Sequence, residues 1–483
     1  MVDEGLSITL ACYNEYMWSS NYPQNAEIQG KDVKEMSLCD NDSLKNVLGD
    51  IKRLRLDNRD PPHTNFYYSL LRLSLAELKT GDIKPIIIRG GILNLILFSV
   101  SFFVFFLFIK MFFNKNKIIP YIAVFCAFIS SGTISNTILL RDYQLQETLF
   151  ILFSYFFFKF INKQKSILID KKIFINIGMF SLIAFITSLT LLTGYYALFF
   201  IGLFGIYAIY YNKKNSTEVI IYFVIFIFAV IFAQFLYTRY IDGFVSSRAG
   251  ETMETVFGHG FTENIANSLA AIGSILVKYY FSFPVILTMA AIFLYLIISK
   301  SKIEFPVFGL ITLIIAALYM LIVTIIAPYK ILRYSMAVFP FFVILPLFFI
   351  NSIKNKSGFA FSVLLLCFCF TVNSFNVKNI DEVNRGKPLL YTFAEKKEVP
   401  VIVLNDVGEN LWKYADLVPY FNDEQRYIFC SKEDYTITLN KYNDYYFIVE
   451  KSLIDSEDMD VSALNESMEK INELGYFVFY RKK

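Results

Sequence analysis

From residue 88 to residue 375 the chain alternates between long apolar runs and short polar turns. Runs of roughly 18–25 apolar residues are long enough to cross a bilayer as helices. Ten spans are predicted, at about 88–109, 118–139, 147–162, 173–192, 195–211, 219–237, 279–299, 303–327, 333–350 and 357–375. The run from 173 to 211 is too long for one crossing, and Thr193-Gly194 inside it predicts a tight turn between two helices. The short spans at 147–162 and 195–211 are accommodated by tilt. Before the first span, residues 1–87 are polar with short amphipathic pieces. Asp42-Ser43-Leu44-Lys45-Asn46-Val47-Leu48 has a capping start followed by apolar positions at helical spacing, and Tyr67-Tyr68-Ser69-Leu70-Leu71-Arg72-Leu73 begins a second such helix after Pro61-Pro62. Both are predicted to lie along the membrane interface. After the last span, residues 376–483 predict strands at 399–404, 426–429, 445–449 and 476–480, with helices at 409–421 and 462–473. The fold class expected is a polytopic α-helical membrane protein of about ten spans. An interfacial-helix loop (1–87) precedes the membrane domain (88–375), and a small C-terminal α/β domain (376–483) follows it.

Composition sharpens the class. The 483 residues are 55% hydrophobic and only 18% charged, where a soluble domain carries about a quarter charged residues. The net charge of +3 gives no argument for a nucleic-acid partner. Of six cysteines, Cys126, Cys367 and Cys369 fall in apolar runs and are expected to pack. Cys12, Cys39 and Cys430 fall in polar regions, where a Cys12–Cys39 bridge is open on an oxidising side. His63 and His259 are the only histidines, so the sequence has no Cys/His metal cluster.

The turns carry a charge asymmetry. Fourteen lysines (110, 115, 117, 159, 163, 165, 171, 172, 213, 214, 300, 302, 354 and 356) occupy one set of connections. The opposite set holds six cations, Arg141, Arg239, Arg248, Lys278, Lys330 and Arg333. The positive-inside rule assigns the lysine-rich set to the cytoplasm. With about ten spans, the opening loop and the C-terminal domain then lie outside the cytoplasmic membrane, in the periplasm or beyond. Export of an 87-residue polar segment needs an apolar stretch ahead of it, so an upstream span is expected before Met1.

Chemistry is expected at the outer helix ends, because the spans are almost free of charge. Ionisable groups gather at Asp3 and Glu4, at Asp57 to His63, at Arg141-Asp142 with Glu147, and at Lys330 with Arg333. Cations at such a face suit a carrier phosphate, and a carboxylate suits proton removal from an acceptor hydroxyl. The segment 238–278, with Arg239, Asp242, Arg248, Glu251, Glu254, His259 and Glu263, reads first as a solvated external connection, with a lid or acceptor contact as the sharper alternative.

Four stretches resemble a known family. Asp3-Glu4 resembles an acidic pair placed just after a first span. Asp60-Pro61-Pro62-His63 through Tyr67-Tyr68-Ser69-Leu70-Leu71-Arg72 is similar to an H-P-P-x-Y-Y-x-L-L stretch, with the histidine following the prolines. Arg141-Asp142-Tyr143-Gln144-Leu145 resembles R-x-Y-x-L at the outer start of a span, and Arg333-Tyr334 with Pro340 resembles R-Y-x(5)-P opening a late span. The family is the integral-membrane glycosyltransferases of the GT-C fold, which includes the dolichyl-phosphate-mannose protein mannosyltransferases and the bacterial aminoarabinose transferases. The resemblance implies transfer, with inversion, of a hexose or pentose from a polyprenyl-phosphate donor to a glycan, lipid or protein acceptor of the cell envelope. It implies Asp3 as base with Glu4 beside it, and Asp142 as a second acid with Glu147 as its rival. Arg333, Lys330 and Arg141 are then carrier or substrate contacts, joined by His63, Tyr67 and Tyr334. A divalent metal between Asp3 and Asp142 is compatible with it but not required. Gly194 stands where relatives commonly carry a histidine.

Two other classes compete. A flippase or exporter of lipid-linked glycans predicts charged or polar groups inside the spans and needs no outer carboxylate. A sensory or assembly scaffold predicts that the tail, not the bundle, carries the function.

Overall fold

A computed structural model of the chain describes residues 2–13, 22–37, 43–78, 83–114, 116–167, 173–213, 216–258, 260–375, 398–404, 417–418, 421–455, 466–474 and 477–483. In chain order the elements begin with α1 (Val2–Cys12), β1 (Glu27–Gln29), α2 (Gly30–Ser37), α3 (Leu44–Leu56), α4 (Phe66–Ser74) and α5 (Ile83–Phe112). Then come α6 (Ile119–Phe128), α7 (Ser131–Ile138), α8 (Tyr143–Ile167), α9 (Ile173–Leu191), α10 (Ala197–Tyr211) and α11 (Ser216–Leu236). The segment that follows holds α12 (Tyr240–Gly243), α13 (Ala249–Phe257) and α14 (Phe261–Ile275), with wider π-type turns at Phe244–Arg248 and Leu276–Tyr280. Next are α15 (Phe283–Ile298), α16 (Val307–Ile326), α17 (Phe339–Phe342), α18 (Ile344–Asn351) and α19 (Lys356–Ser374). The C-terminal part has β2 (Val401–Leu404), β3 (Arg426–Cys430), α20 (Tyr435–Asn440), β4 (Tyr446–Glu450), α21 (Lys451–Asp455), β5 (Met468–Leu474) and β6 (Phe477–Lys482).

These elements form two compact units. One comprises residues 1–54, 68–91 and 382–483, the other 55–67 and 92–381. The second is a helical bundle. Among the described residues four helices are long and apolar enough to cross a membrane, and two bent pairs bring the number to six. Shorter apolar helices occupy Gly178–Leu191, Ala197–Tyr211 and Met336–Asn351. Several of the ten expected spans therefore appear as broken or short helices, and the breaks have local causes. The α6–α7 pair bends by 63°, because Ser130 turns extended (ψ 145°) and its side chain caps the new helix at the Thr133 N–H. The α14–α15 pair bends by 91° just before Pro284, which sits in the first turn of α15. Pro340 and Pro346 divide the late span into α17 and α18. Thr193-Gly194 makes the tight turn between α9 and α10, with Gly194 at φ 150°.

The segment 238–278 differs from the solvated connection expected of it. It is helical over most of its described length, and Asn264 and Ser268 of α14 donate to the Ile325 and Thr324 carbonyls of α16. The bundle core is rich in aromatic rings: Phe150 of α8 stacks on Phe200 of α10 at 4.0 Å, and Tyr319 of α16 meets both edge-on.

The first unit is built on a six-stranded sheet of order β1-β3-β2-β4-β6-β5. Strands β3, β2 and β4 are parallel, while β1, β6 and β5 run antiparallel to their neighbours. Both faces of the sheet are covered, so Val401-Ile402-Val403-Leu404 is apolar without alternation. The edge strand β1 comes from the opening polar stretch. Glu27 on it takes hydrogen bonds from Tyr442 at 2.9 Å and Arg426 at 3.0 Å.

One expectation for this region changes. The helix expected at 462–473 is strand β5 from Met468 onward, paired to β6 in a hairpin. The helix expected at 409–421 falls mostly outside the described residues. Ser43 caps α3 as expected, its hydroxyl accepting from the Asn46 N–H, and Arg72 of α4 is buried against Asp50 of α3 at 2.8 Å. Cys12 is disulfide-bonded, Cys39 lies outside the described residues, and Cys126, Cys367, Cys369 and Cys430 are free.

Candidate active site at one end of the helical bundle

The residues from Arg55 to Tyr67 are stitched to the end of α11. The helix leaves its last carbonyls without partners, and Arg55 and Asn65 donate to those of Phe235 (2.7 Å) and Leu236 (3.2 Å). Within the stretch, the Asp57 and Asn58 side chains accept from the N–H groups of Arg59 and Asp60, two side-chain-closed turns. The Tyr237 hydroxyl donates to Asn58 at 2.8 Å, and the Asn58 amide donates to the His63 carbonyl at 2.7 Å. Thr64 donates to the Leu192 carbonyl at the end of α9. His63 is thereby fixed, with Nδ1 2.9 Å from an Asp60 carboxylate oxygen.

Three further elements close on this turn. Arg248, in the π-type turn before α13, is 7% exposed. Its Nε donates to the Pro62 carbonyl at 2.9 Å, one terminal nitrogen donates to Glu251 at 2.6 Å, and its guanidinium lies 5.3 Å from the Tyr196 ring centroid. Asp142 opens α8, its carbonyl accepting from the Gln146 N–H at 2.8 Å. Arg333 follows α16 with its guanidinium 5.5 Å from the Tyr334 ring, and Tyr334 packs edge-on against Tyr196 at 5.8 Å.

The result is one pocket lined by Pro62, His63, Asp142, Tyr143, Gln146, Thr193, Gly194, Tyr195, Tyr196, Arg248, Tyr319, Arg333 and Tyr334. Its enclosed volume is about 30 Å³, room for a water but not for a sugar ring. Burial pushes the Asp142 carboxyl above its ordinary range, and the charges of His63, Arg141 and Arg248 pull part of that shift back. Gly194 borders the site: a Cβ there would stand in ordinary van der Waals contact with the Gln146 amide nitrogen (3.6 Å) and Asp142 Oδ2 (3.8 Å).

Of the residues singled out from the sequence, His63, Asp142, Arg333 and Tyr334 fall in this pocket. The others whose side chains are described lie elsewhere. Arg141 is buried beside Asp142 but does not line the pocket. Glu147 is buried in a polar cluster, accepting from Asn136 and Gln144 at 3.0 Å each. The Tyr67 hydroxyl donates to Asn94 at 3.2 Å, and the Asn94 amide donates to the Thr137 and Leu139 carbonyls. Lys330 donates to the Ile325 and Ala327 carbonyls that end α16, and burial lowers its pKa. Asp3 and Glu4 stand on α1 with side chains outside the described residues, and His259 is outside the described residues altogether.

The sequence placed Arg248 only in a segment whose sharper reading was a lid or acceptor contact, and it did not single out Tyr195, Tyr196, Tyr319 or Gln146. Arg248 carried the one legible signal, a cation among small residues (Ser246-Ser247-Arg248-Ala249-Gly250) on the same side as the others. Among the described residues no group of three or more His, Cys, Asp or Glu is placed to hold a metal ion. The charges acting on Asp142 are those of His63, Arg141 and Arg248.

Fold and site together are those of a helical protein with candidate membrane spans and a pocket at its helix ends that holds the Asp142 carboxyl with His63, Arg248 and Arg333. Two solved structures of an aminoarabinose transferase of GT-C fold are its structural neighbours. The crystal structure of ArnT from Cupriavidus metallidurans bound to undecaprenyl phosphate superposes with a TM-score of 0.49 at 10% identity, over 87% of this chain and 88% of that one. The apo state of ArnT gives 0.45 at 11% identity, over 87% of each chain. The sequence matches no family model, and no curated protein matches it.

Proposed function

We propose that the protein transfers a sugar, with inversion, from a polyprenyl phosphate to an acceptor hydroxyl at the non-cytoplasmic face of the cytoplasmic membrane. The observation that carries this reading is a single pocket holding the Asp142 carboxyl together with His63, Arg248 and Arg333 at the ends of apolar helices. Cations at that depth meet a lipid phosphate without drawing its hydrocarbon chain out of the bilayer. The lysine-rich opposite connections support the outward placement.

In the reaction, the acceptor oxygen attacks the anomeric carbon from the face opposite the phosphate. The bond from that carbon to the phosphate oxygen breaks, and its electron pair leaves on the polyprenyl phosphate. The acceptor proton passes to a carboxylate. Arg248 and Arg333 offset the charge that builds on the departing phosphate. We assign the base to Asp142 because its carboxyl lines the pocket beside His63, Arg248 and Arg333; Asp3, the base the resemblance implies, stays its rival, and Asp3→Asn and Asp142→Asn made side by side discriminate between the two.

The reading is tested with purified protein and radiolabelled polyprenyl-phosphate glucose, mannose, galactose and arabinose. Release of free polyprenyl phosphate from at least one donor, dependent on an acceptor extract, supports it. No release from any donor overturns it.

A further inference from the structure

Tyr319 lies two turns before the end of α16 and has no exposed surface. Phe150 (5.2 Å, 83°) and Phe200 (5.7 Å, 86°) hold its ring edge-on from two sides, so the phenol has little freedom to swing. The side chain lines the Asp142 pocket. Its hydroxyl makes no hydrogen bond among the described residues, although it lies within electrostatic range of Asp142 and the Tyr196 hydroxyl. A buried phenol with no partner is a standing cost that phenylalanine, of nearly the same shape, does not carry. A ligand able both to donate and to accept at that point removes the cost.

Besides Asp142 and His63, the pocket holds two cations, Arg248 and Arg333, and neutral hydrogen-bonding groups that include Gln146, Tyr196 and Tyr319. The first set suits a phosphate. The second suits hydroxyl groups, which hydrogen-bond in both directions. Resting on the sugar-transfer reading, we propose that the Tyr319 hydroxyl hydrogen-bonds one ring hydroxyl of the donor sugar and is a specificity-determining residue of the site. Sites built to hydrogen-bond a substrate hydroxyl discriminate strongly against the analogue lacking it, because their own polar group is then left buried and unpaired.

The test compares the full-length protein with Tyr319→Phe in lipid nanodiscs. The probes are polyprenyl phosphate itself, the polyprenyl-phosphate sugar that the wild type turns over best among glucose, mannose, galactose and arabinose, and the monodeoxy forms of that donor. Without ligand, Tyr319→Phe melts no lower than the wild type, and its affinity for the sugar-free phosphate is unchanged. Its kcat/KM for the full donor falls about tenfold or more, the loss of one buried hydrogen bond. One monodeoxy donor is turned over equally by both proteins, marking the hydroxyl that Tyr319 contacts. A lower melting temperature of the ligand-free variant, an unchanged kcat/KM, or an equal penalty on every deoxy donor overturns the proposal. A wild type inactive with every donor overturns the transfer reading and this proposal with it. An active wild type indistinguishable from Tyr319→Phe overturns this proposal alone.

Discussion

The Arg248 guanidinium donates to the Pro62 carbonyl at 2.9 Å, joining residues 186 positions apart. One side chain thus closes the proline turn that carries His63, contacts Tyr196, and brings a cation to the pocket of Asp142. The segments 57–63 and 238–278 are distant in sequence, and this contact makes them one site.

Arg248→Lys keeps a charge but loses the planar fork that reaches Pro62 and Glu251 together. Arg248→Ala loses the charge as well. Steady-state kinetics with a polyprenyl-phosphate sugar should show kcat/KM reduced on the order of 100-fold for Ala, as for loss of one charge-stabilising donor, with Lys between Ala and wild type. A loss smaller than about threefold for Ala would remove Arg248 from the site.

Gly243 gives a second prediction. A Cβ at this position would fall 2.2 Å from the Tyr195 hydroxyl and 3.2 Å from the Pro61 carbonyl. Gly243→Ala therefore displaces Tyr195 or the proline turn and should lower stability by roughly 1–3 kcal/mol. Adding Tyr195→Phe removes the clashing oxygen and should recover most of the melting temperature. Additive losses in the double variant would mean the crowding lies elsewhere.

The pH dependence follows from Asp142. Burial raises its folded pKa above the unfolded value, so its contribution to stability is fully present below an unfolded pKa of about 3.9 and is lost as pH rises through the folded value. As a base it must be ionised, so kcat/KM climbs with pH along a limb displaced upward from the ordinary aspartate range. A rate profile between pH 4 and 8 checks this. A limb centred at or below the free-aspartate value would contradict it.

In the sheet unit, the Tyr442 hydroxyl and Arg426 hold the Glu27 carboxyl below its ordinary pKa. That stabilisation is present above the unfolded pKa of about 4.3 and is lost as pH falls through the folded value. Glu27 is 42% exposed as a side chain, so solvent screening limits the effect, and Glu27→Gln should cost under about 1 kcal/mol at pH 7. Hydrogen exchange at β1 should rise in the variant while that of β4 does not.

What the sequence revealed depended on range. Long apolar runs and the Thr193-Gly194 turn are local signals, and helices and a turn stand at those places. His63, Asp142, Arg333 and Tyr334 stood out because charge and aromatic polarity at helix ends are rare enough to notice. Tyr319 did not, because within an apolar run it looks like one more packing aromatic; only the folded bundle places its hydroxyl at the pocket. Strand β1 is three residues long and has no periodicity to detect. For β5, Met468, Ile471 and Leu474 recur at a spacing of three, which fits a helix, but pairing with β6 places them in a strand.

The central claim is that the Asp142 pocket is where sugar leaves its lipid carrier. Transfer from a labelled polyprenyl-phosphate sugar, measured for wild type and Asp142→Asn in the same proteoliposomes, tests it most directly. The account predicts loss of transfer with no fall in melting temperature at pH 7, because a carboxylate charge that its partly buried position disfavours has been removed. Transfer by Asp142→Asn at near wild-type rate would contradict it.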